Sequence, residues 1–411
     1  MTAPWTPMRW PDAWKDPATL ALLKGTAIDH LLIGMGPELS AVRSHAAQDG
    51  FHLSQPGAPP AGVEIVKGQW PGVKVERRGG GSGVSAGPTG NPWVDSNGWA
   101  IRLAAALHSD SAVWVDAAPA GNALVTAASY LIAVADSAAY GGRWIVSLDT
   151  PLAVSLAAGK SDALATWRRV TAAAGFFAAH QAWPAYVPMA VVGVVSDFTG
   201  DNEFFSRELL NLLARAGQHC RILPKDRITD ASLVGLRAAI YADAQPPASA
   251  LRQQILAFVA AGGMLITVPQ WGEVPGTLIQ SDGHPRYSLR ALGKGKVAVA
   301  MAGPDDPYLW ANESVVMVSH RYDLVRFWNS GAAGSFCTVA PDGKQAVVHL
   351  LFYANRGPDS ATVRIAGRYR AARAYTAGHP AAAKVEWAPQ TDAVEIHLPP
   401  VSQYVALELD I

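Results

Sequence analysis

Two aspartates directly follow short apolar runs, where a strand of a parallel sheet would end. Asp116 closes the run AVWVD that begins at Ala112, and Asp149 follows the run Trp144–Leu148. The carboxyl ends of parallel strands are where α/β folds place catalytic and binding groups. Cleavage of a glycosidic bond uses two carboxyl groups, one as acid and one as nucleophile or base. We therefore predict Asp116 and Asp149 as a catalytic pair; the alternative is that each caps a helix or orders a turn.

A second polar group lies in the string PTGNPWVDSNGW, residues 88–99. Amides and carboxylates can bind sugar hydroxyls, and indole rings can pack on the face of a sugar ring. The predicted substrate-binding residues of this string are Asn91, Trp93, Asp95, Asn97 and Trp99. Glu76, at the end of the run VKVE, is a further candidate. The alternative is a turn in which Asp95 or Ser96 caps a helix from Gly98 and both indoles lie in the core.

The elements that would position these residues alternate between strand and helix patterns. Predicted strands are Asp29–Ile33, Val63–Val66, Val73–Glu76, Ala112–Asp116 and Trp144–Leu148, and predicted helices are Pro37–Gln48, Gly98–Leu107, Leu124–Ala139 and Ser161–His180. This alternation favours a parallel α/β arrangement. Residues 1–185 are too few for an eightfold barrel of about 250 residues. We predict a degenerate (β/α) barrel for this first region.

Strands and helices alternate again between Met189 and Val268, with predicted strands that include Met189–Val195, Ala238–Ala242 and Met264–Val268. The apolar runs are bounded by turn residues, and Gly262 with Gly263 ends the last helix pattern. Asp197 and Glu203 follow the first of these strands and are predicted substrate-binding residues, because that rim is where such sheets bind ligands. They could equally be first-turn charges that the helix dipole favours.

The stretch YADAQPPASALRQQILAFVAAGGMLITVPQWG resembles the class-I glutamine amidotransferase-like domain, in the version that forms the trimerisation domain of three-domain β-galactosidases. The resemblance implies a flavodoxin-like α/β domain over residues 186–332 and a homotrimer. Enzymes with glutaminase activity use a cysteine on the turn after a central strand. Here that turn holds Asp243, Ala244 and Gln245, so no thiolate nucleophile is available.

Further along the chain, Gly276–Arg290 is predicted to form a connector and Asp306–Trp328 a helix-rich stretch. From Phe336 onward, short apolar runs alternate with turns such as Pro341-Asp342-Gly343. This pattern predicts a small antiparallel β-sandwich over residues 333–411. The order of barrel, amidotransferase-like domain and sandwich resembles the three-domain β-galactosidases, which implies a glycoside hydrolase acting on a plant or microbial oligosaccharide.

The resembling enzymes use two glutamates, the first directly after an asparagine, and no Asn-Glu pair occurs in the first region. The alternative hypothesis is therefore a non-catalytic carbohydrate-binding or assembly protein on a decayed hydrolase scaffold.

Composition excludes several classes of partner. The 411 residues carry 33 basic and 33 acidic side chains, so no basic excess predicts nucleic-acid binding. No apolar stretch approaches the roughly 18 residues that cross a bilayer, so no membrane partner is expected.

Cys220 and Cys337 are predicted to be buried free thiols, and no metal or cofactor is expected. The first residues lack the apolar core of a signal peptide, which leaves a cytoplasmic protein or one secreted after removal of a signal.

Overall fold

The structure, a computed structural model, describes residues 5–74, 76–77, 84–85, 93–120, 123–279, 284–304, 306–354, 360–379, 381–398, 400–401 and 403–411. The expected mixture of helices and strands in several sheets is confirmed. In these ranges no helix combines the length and the apolar character needed to cross a membrane.

Up to residue 185, short strands alternate with five helices in the described ranges. The strands are β1 Pro7–Arg9, β2 His30–Leu32, β3 His52–Ser54, β4 Val63–Lys67, β5 Gly72–Lys74, β6 Glu76–Arg77, β7 Val84–Ser85, β8 Trp93–Asp95, β9 Ala112–Asp116, β10 Arg143–Trp144 and β11 Val146–Ser147. The helices are α1 Ser40–Gln48, α2 Gly98–Leu107, α3 Ala127–Ala139, α4 Thr150–Ala157 and α5 Ser161–Ala179.

Six parallel strands of this region lie side by side, if β10 and β11 are counted as one strand interrupted at Ile145. One sheet has the order β11-β1-β2-β3 and the next has the order β10-β9-β4. The Ile145 amide donates to the Val115 carbonyl, which keeps the interrupted strand beside β9. The first strand of this region, β1, therefore pairs with its last, β11, whereas no pairing joins β3 to β4 within the described residues.

The next elements form a seven-stranded sheet with helices packed against it. Its strands are β13 Val192–Ser196, β14 Cys220–Pro224, β15 Ala238–Tyr241, β16 Met264–Thr267, β17 Thr277–Leu278, β18 Tyr287–Leu292 and β19 Gly295–Ala300, and the helices are α6 Glu203–Arg215, α7 Ser249–Ala260 and α8 Pro307–Val318. The short strand β12 Val187–Pro188 precedes them in the chain but pairs with a strand of the last region. The sheet order is β14-β13-β15-β16-β19-β18-β17. Its first five strands are parallel, and β18 and β17 add an antiparallel edge.

The last strands form two antiparallel sheets that face each other. They are β20 Val325–Phe327, β21 Ala333–Val339, β22 Gln345–Phe352, β23 Ala361–Ala366, β24 Ala371–Thr376, β25 Ala383–Lys384, β26 Glu386–Pro389, β27 Ala393–Leu398 and β28 Tyr404–Asp410. The six-stranded sheet β12-β21-β22-β28-β24-β25 packs on the four-stranded sheet β20-β23-β27-β26. Strand β23 alternates buried and half-buried residues, as expected for a strand with one face in a core.

Strand β22 is buried almost throughout, because both of its faces are covered. Val348 and Leu350 lie in the core between the two antiparallel sheets. Val347 and Leu351 join a larger core with side chains of the first region, including Phe177. The outer face of this sheet is thus an internal surface, which holds the first and last parts of the chain together.

Two segments differ from the pattern predicted by the sequence. Residues 276–290, predicted as a connector, contribute β17 and part of β18, since Tyr287–Leu292 pairs antiparallel with β19. The stretch Asp306–Trp328, predicted as helix-rich, contains α8 only to Val318. Ser319 then has φ 81°, which stops the helix, and β20 joins an antiparallel sheet.

Candidate functional site

Asp116 lies at the carboxyl end of β9 and forms an ion pair with Arg9 at the end of β1. The distance from Arg9 Nη2 to Asp116 Oδ1 is 2.5 Å, and the two side chains are 29% and 28% exposed. Arg9 Nε also donates to Ser147 Oγ at 3.3 Å. Three neighbouring strand ends therefore meet at one polar, partly open edge, where the carboxylate already has a cationic partner.

Asp149 occupies a different environment, because its carboxylate is buried and caps helix α4. The residue is 2% exposed. Its Oδ1 accepts from the Leu152 amide at 2.9 Å, and its Oδ2 accepts from the Tyr130 hydroxyl at 2.9 Å. Both oxygens thus serve the local structure, which is the arrangement expected of a helix N-cap.

The string at residues 88–99 is only partly within the described residues. Asn91 lies outside them, and the side chains of Glu76 and Trp93 do too, although strands β6 and β8 contain these residues. Asp95 and Asn97 are buried. The Asn97 side chain accepts a hydrogen bond from the Gln69 backbone N–H and donates one to the Gln69 carbonyl, each at 2.9 Å. The side-chain amide therefore orders the neighbouring loop.

Asp136, on α3, is the buried acceptor to which this string is fixed. It accepts from the Asn97 amide at 2.9 Å and from the Ser96 hydroxyl at 3.0 Å. It also accepts from the Tyr353 hydroxyl, at the end of β22, at 2.8 Å. Burial raises the pKa of Asp136, against the effect of these hydrogen bonds. One carboxylate therefore joins the string to the last part of the chain.

A cavity of about 440 Å³ lies where the three parts of the chain meet. We call it the junction cavity. Its polar and aromatic lining residues are Ser96, Trp99, Arg102, Tyr140, Asn211, Arg215, Tyr308, Asn312, Ser330 and Tyr353. No aspartate or glutamate lines it within the described part of the chain. Trp99, a predicted substrate-binding residue, lines this cavity, whereas the predicted catalytic residues Asp116 and Asp149 do not.

Two helices each provide a pair of lining residues one turn apart. Helix α6 contributes Asn211 and Arg215, and helix α8 contributes Tyr308 and Asn312. Residues four apart lie on one face of a helix, so each pair points to the same side. The i,i+4 spacing was visible in the sequence, but nothing in it shows that these two helix faces meet α2.

The predicted rim residues Asp197 and Glu203 have partners within their own region. Lys225 Nζ lies 2.5 Å from Asp197 Oδ2 and 3.0 Å from Asp243 Oδ2. Although burial opposes the charge, these hydrogen bonds raise the pKa of Lys225 to about 12. Glu203 forms an i,i+4 ion pair with Arg207 at 2.6 Å. These carboxylates stabilise the rim of the sheet rather than line the junction cavity.

The geometry of the described residues supports neither metal binding nor thiol chemistry. Cys220 and Cys337 are buried and free. Burial raises the pKa of the Cys337 thiol, which keeps it protonated. Nowhere in the described ranges do three or more His, Cys, Asp or Glu side chains assemble into a group that could hold a metal ion.

Comparison with known proteins gives distant structural matches. The α-L-fucosidase isoenzyme 2 from Paenibacillus thiaminolyticus superposes at TM-score 0.48 and 13% identity, over 73% of this chain and 60% of that one. A β-galactosidase from Rahnella sp. R3 gives TM-score 0.47 and 12% identity, over 76% and 57%. A β-galactosidase from the haloarchaeon Halorubrum lacusprofundi gives TM-score 0.43 and 14% identity, over 93% and 63%.

This chain spans less than two thirds of the length of each of those three structures. No protein-family model matches the chain, and no curated protein matches it. The proposed function therefore rests on the geometry of the site and not on these matches.

Proposed function

We propose that this chain is a non-catalytic carbohydrate-binding protein whose ligand occupies the junction cavity. One observation carries the proposal: the cavity offers aromatic faces, side-chain amides and arginines, but no carboxylate among its described lining residues. The apolar face of a sugar packs on an aromatic ring, and its hydroxyls need hydrogen-bond partners such as amides. A volume of about 440 Å³ falls in the range of small-molecule sites.

The arrangement of strands supports a scaffold related to glycoside hydrolases. Strand β1 pairs with β11 while β3 and β4 are not joined in the described residues, which is the order of a parallel barrel opened at one place. We interpret this region as a degenerate (β/α) barrel. The middle sheet has the 2-1-3-4-5 order of flavodoxin-like folds. These features support the three-part architecture that the sequence resemblance implies.

Hydrolysis is the competing function, and the two aspartates argue against it. A glycosidase needs one carboxyl group that can donate a proton and a second that can attack or activate water. The oxygens of Asp149 are engaged by Tyr130 and the Leu152 amide, inside the protein. Asp116 is open to solvent but is paired with Arg9. A single accessible carboxylate does not provide the required pair.

A glycan panel tests the proposal directly. We expect calorimetry to detect binding of at least one plant or microbial oligosaccharide, with no new reducing ends after prolonged incubation from pH 4 to 9. Turnover that disappears in both Asp116→Asn and Asp149→Asn would establish the hydrolase instead. Absence of binding to every member of the panel would refute both the binding function and the hydrolase.

The homotrimer stays a prediction, and light scattering at several concentrations tests it.

A further inference from the structure

A second cavity, of about 400 Å³, adjoins the junction cavity. Arg102 and Tyr140 line both, so they form part of the wall between the two. The second cavity is lined on its other sides by Trp183, Tyr186, Phe336, Arg221 and His349. Like the junction cavity, it has no aspartate or glutamate among its described lining residues.

Arg102 is a cation without a carboxylate partner in the described structure. Its guanidinium donates to the Cys220 carbonyl and lies 3.8 Å from the Cys220 sulfur. Its Cζ lies 5.2 Å from the centre of the Phe336 ring. A guanidinium has five N–H donors and stays charged at any ordinary pH. Arg102 therefore places a positive charge at the boundary of both cavities. It also has N–H donors there that the contacts with Cys220 and Phe336 do not use.

Arg221 adds a second cation of this kind to the second cavity. Its Nη1 donates to the carbonyls of Ser232 and Val234, at 2.7 and 3.3 Å, and these carbonyls do not neutralise its charge. In the junction cavity, by contrast, Arg215 is influenced by the charges of Asp95 and Glu208. The uncompensated positive charge thus centres on Arg102 and Arg221.

His349 provides a neutral polar group in the second cavity. It is 2% exposed, and its Nδ1 lies 2.7 Å from the Tyr404 hydroxyl. Its Nε2 makes no hydrogen bond with the described residues, so in either tautomer this nitrogen can still bond a ligand. Burial, with the nearby charge of His180, lowers the pKa of His349 to about 3. The ring is therefore uncharged at neutral pH.

We propose that the ligand is an acidic oligosaccharide, one that contains a uronic acid, and that Arg102 pairs with its carboxylate. This inference rests on the proposed function, because it names the class of glycan that the junction cavity would take. The aromatic side chains of the lining favour a sugar as the ligand. The excess of arginines over carboxylates favours a sugar that carries a negative charge. Because Arg102 lines the junction cavity beside Trp99 and Tyr140, a uronate paired with it would lie next to aromatic side chains.

Matched acid and ester ligands test the charge without changing the sugar. We would measure binding of the trisaccharides of galacturonate, glucuronate and mannuronate, each as the free acid and as the neutral methyl ester. For at least one pair, the acid should bind wild type at least tenfold more tightly than its ester, because a hydrogen bond to a charged carboxylate is stronger than one to a neutral ester. The acid's affinity should also fall with added salt.

Variants then place the carboxylate at Arg102. Arg102→Gln should lower the acid-to-ester affinity ratio to about one, and Arg102→Lys should retain part of the advantage of the acid. Arg169→Gln, at an exposed position of α5, should behave as wild type. Ester binding also reports whether Arg102→Gln is folded; if that variant does not fold, the acid-to-ester ratio of wild type and of Arg102→Lys decides.

The possible outcomes distinguish failure of the acidic-ligand proposal from failure of the proposed carbohydrate binding. Equal binding of every acid and its ester by wild type would overturn the acidic ligand and leave carbohydrate binding intact. An acid advantage that persists in Arg102→Gln would overturn the role of Arg102. If these trisaccharides and the whole neutral panel fail to bind, the proposed function itself fails.

Discussion

The Tyr130 hydroxyl and Asp149 are joined by two hydrogen bonds. The hydroxyl donates to Asp149 Oδ2 at 2.9 Å and accepts from the Asp149 backbone amide at 2.8 Å. Burial raises the pKa of the Tyr130 phenol, so the group stays protonated and can serve both roles. This contact ties α3 to the start of α4, and it assigns to Asp149 a structural task.

Asp149→Ala should therefore reduce stability without affecting glycan binding. The change removes a helix cap, worth about 1 kcal/mol, and leaves the buried Tyr130 hydroxyl without its acceptor, worth about 1–3 kcal/mol. We expect the free energy of unfolding in urea to fall by about 2–4 kcal/mol. The matched control Asp162→Ala, at an exposed first-turn position of α5, should change it by less than about 0.5 kcal/mol. Unchanged stability in Asp149→Ala would argue that the carboxylate is kept for chemistry.

Replacing the aromatic walls of the junction cavity should weaken binding directly. Trp99→Ala and Tyr308→Ala each remove a ring that lines the cavity. A loss of about 1.4 kcal/mol of packing corresponds to a tenfold increase in Kd. Calorimetry with the ligand found in the panel checks this. Trp328→Ala, whose indole is 52% exposed and lies outside the cavity, serves as control. Equal affinities for all three variants would place the ligand elsewhere.

Acid should destabilise the protein through its buried histidines, one of which is His219. Burial, assisted by the charge of Arg102, lowers the pKa of His219 to about 4. Between pH 6.5 and 4 the unfolded chain then binds more protons than the folded one. The stability due to the neutral ring is complete above about pH 6.5 and is lost as pH falls toward 4, by up to about 1.4 kcal/mol per pH unit.

Urea unfolding at several pH values between 7 and 4.5 measures this dependence. His219→Gln should show a flatter pH profile than wild type, by up to about 1.4 kcal/mol per pH unit. His30 and His349, with pKa values lowered to about 4 and about 3 by burial, should maintain the remaining slope. The exposed His379→Gln is the matched control and should keep the slope of wild type. A profile for His219→Gln that equals wild type would contradict this account.

The sequence was most informative where a strand is buried on both faces. The runs predicted as Ala238–Ala242 and Met264–Val268 correspond to β15 and β16 within one residue. A continuous apolar run bounded by turn residues is what a central parallel strand requires. By contrast, β1 has only three residues, and its sequence Pro-Met-Arg has no pattern that distinguishes it from a loop. Pairing with β2 and β11 makes it a strand.

The candidate site was less predictable, because its contacts join distant parts of the chain. Trp99 was identified from its local string, but Arg102, Tyr308 and Asn312 acquire their role only when α2 meets α8 at the cavity. Likewise, the strand-end position of Asp116 was visible, whereas its pairing with Arg9, 107 residues away, was not. Local patterns place a side chain on an element; tertiary packing decides what it faces.

The most direct test of the account is the position of a bound oligosaccharide in a crystal structure of the complex. We predict an intact glycan in the junction cavity, packed on Trp99 and Tyr308, with no cleavage after soaking. A glycan bound beside Asp116 and Arg9, or a cleaved product there, would contradict the account and support the hypothesis that the protein is a glycoside hydrolase.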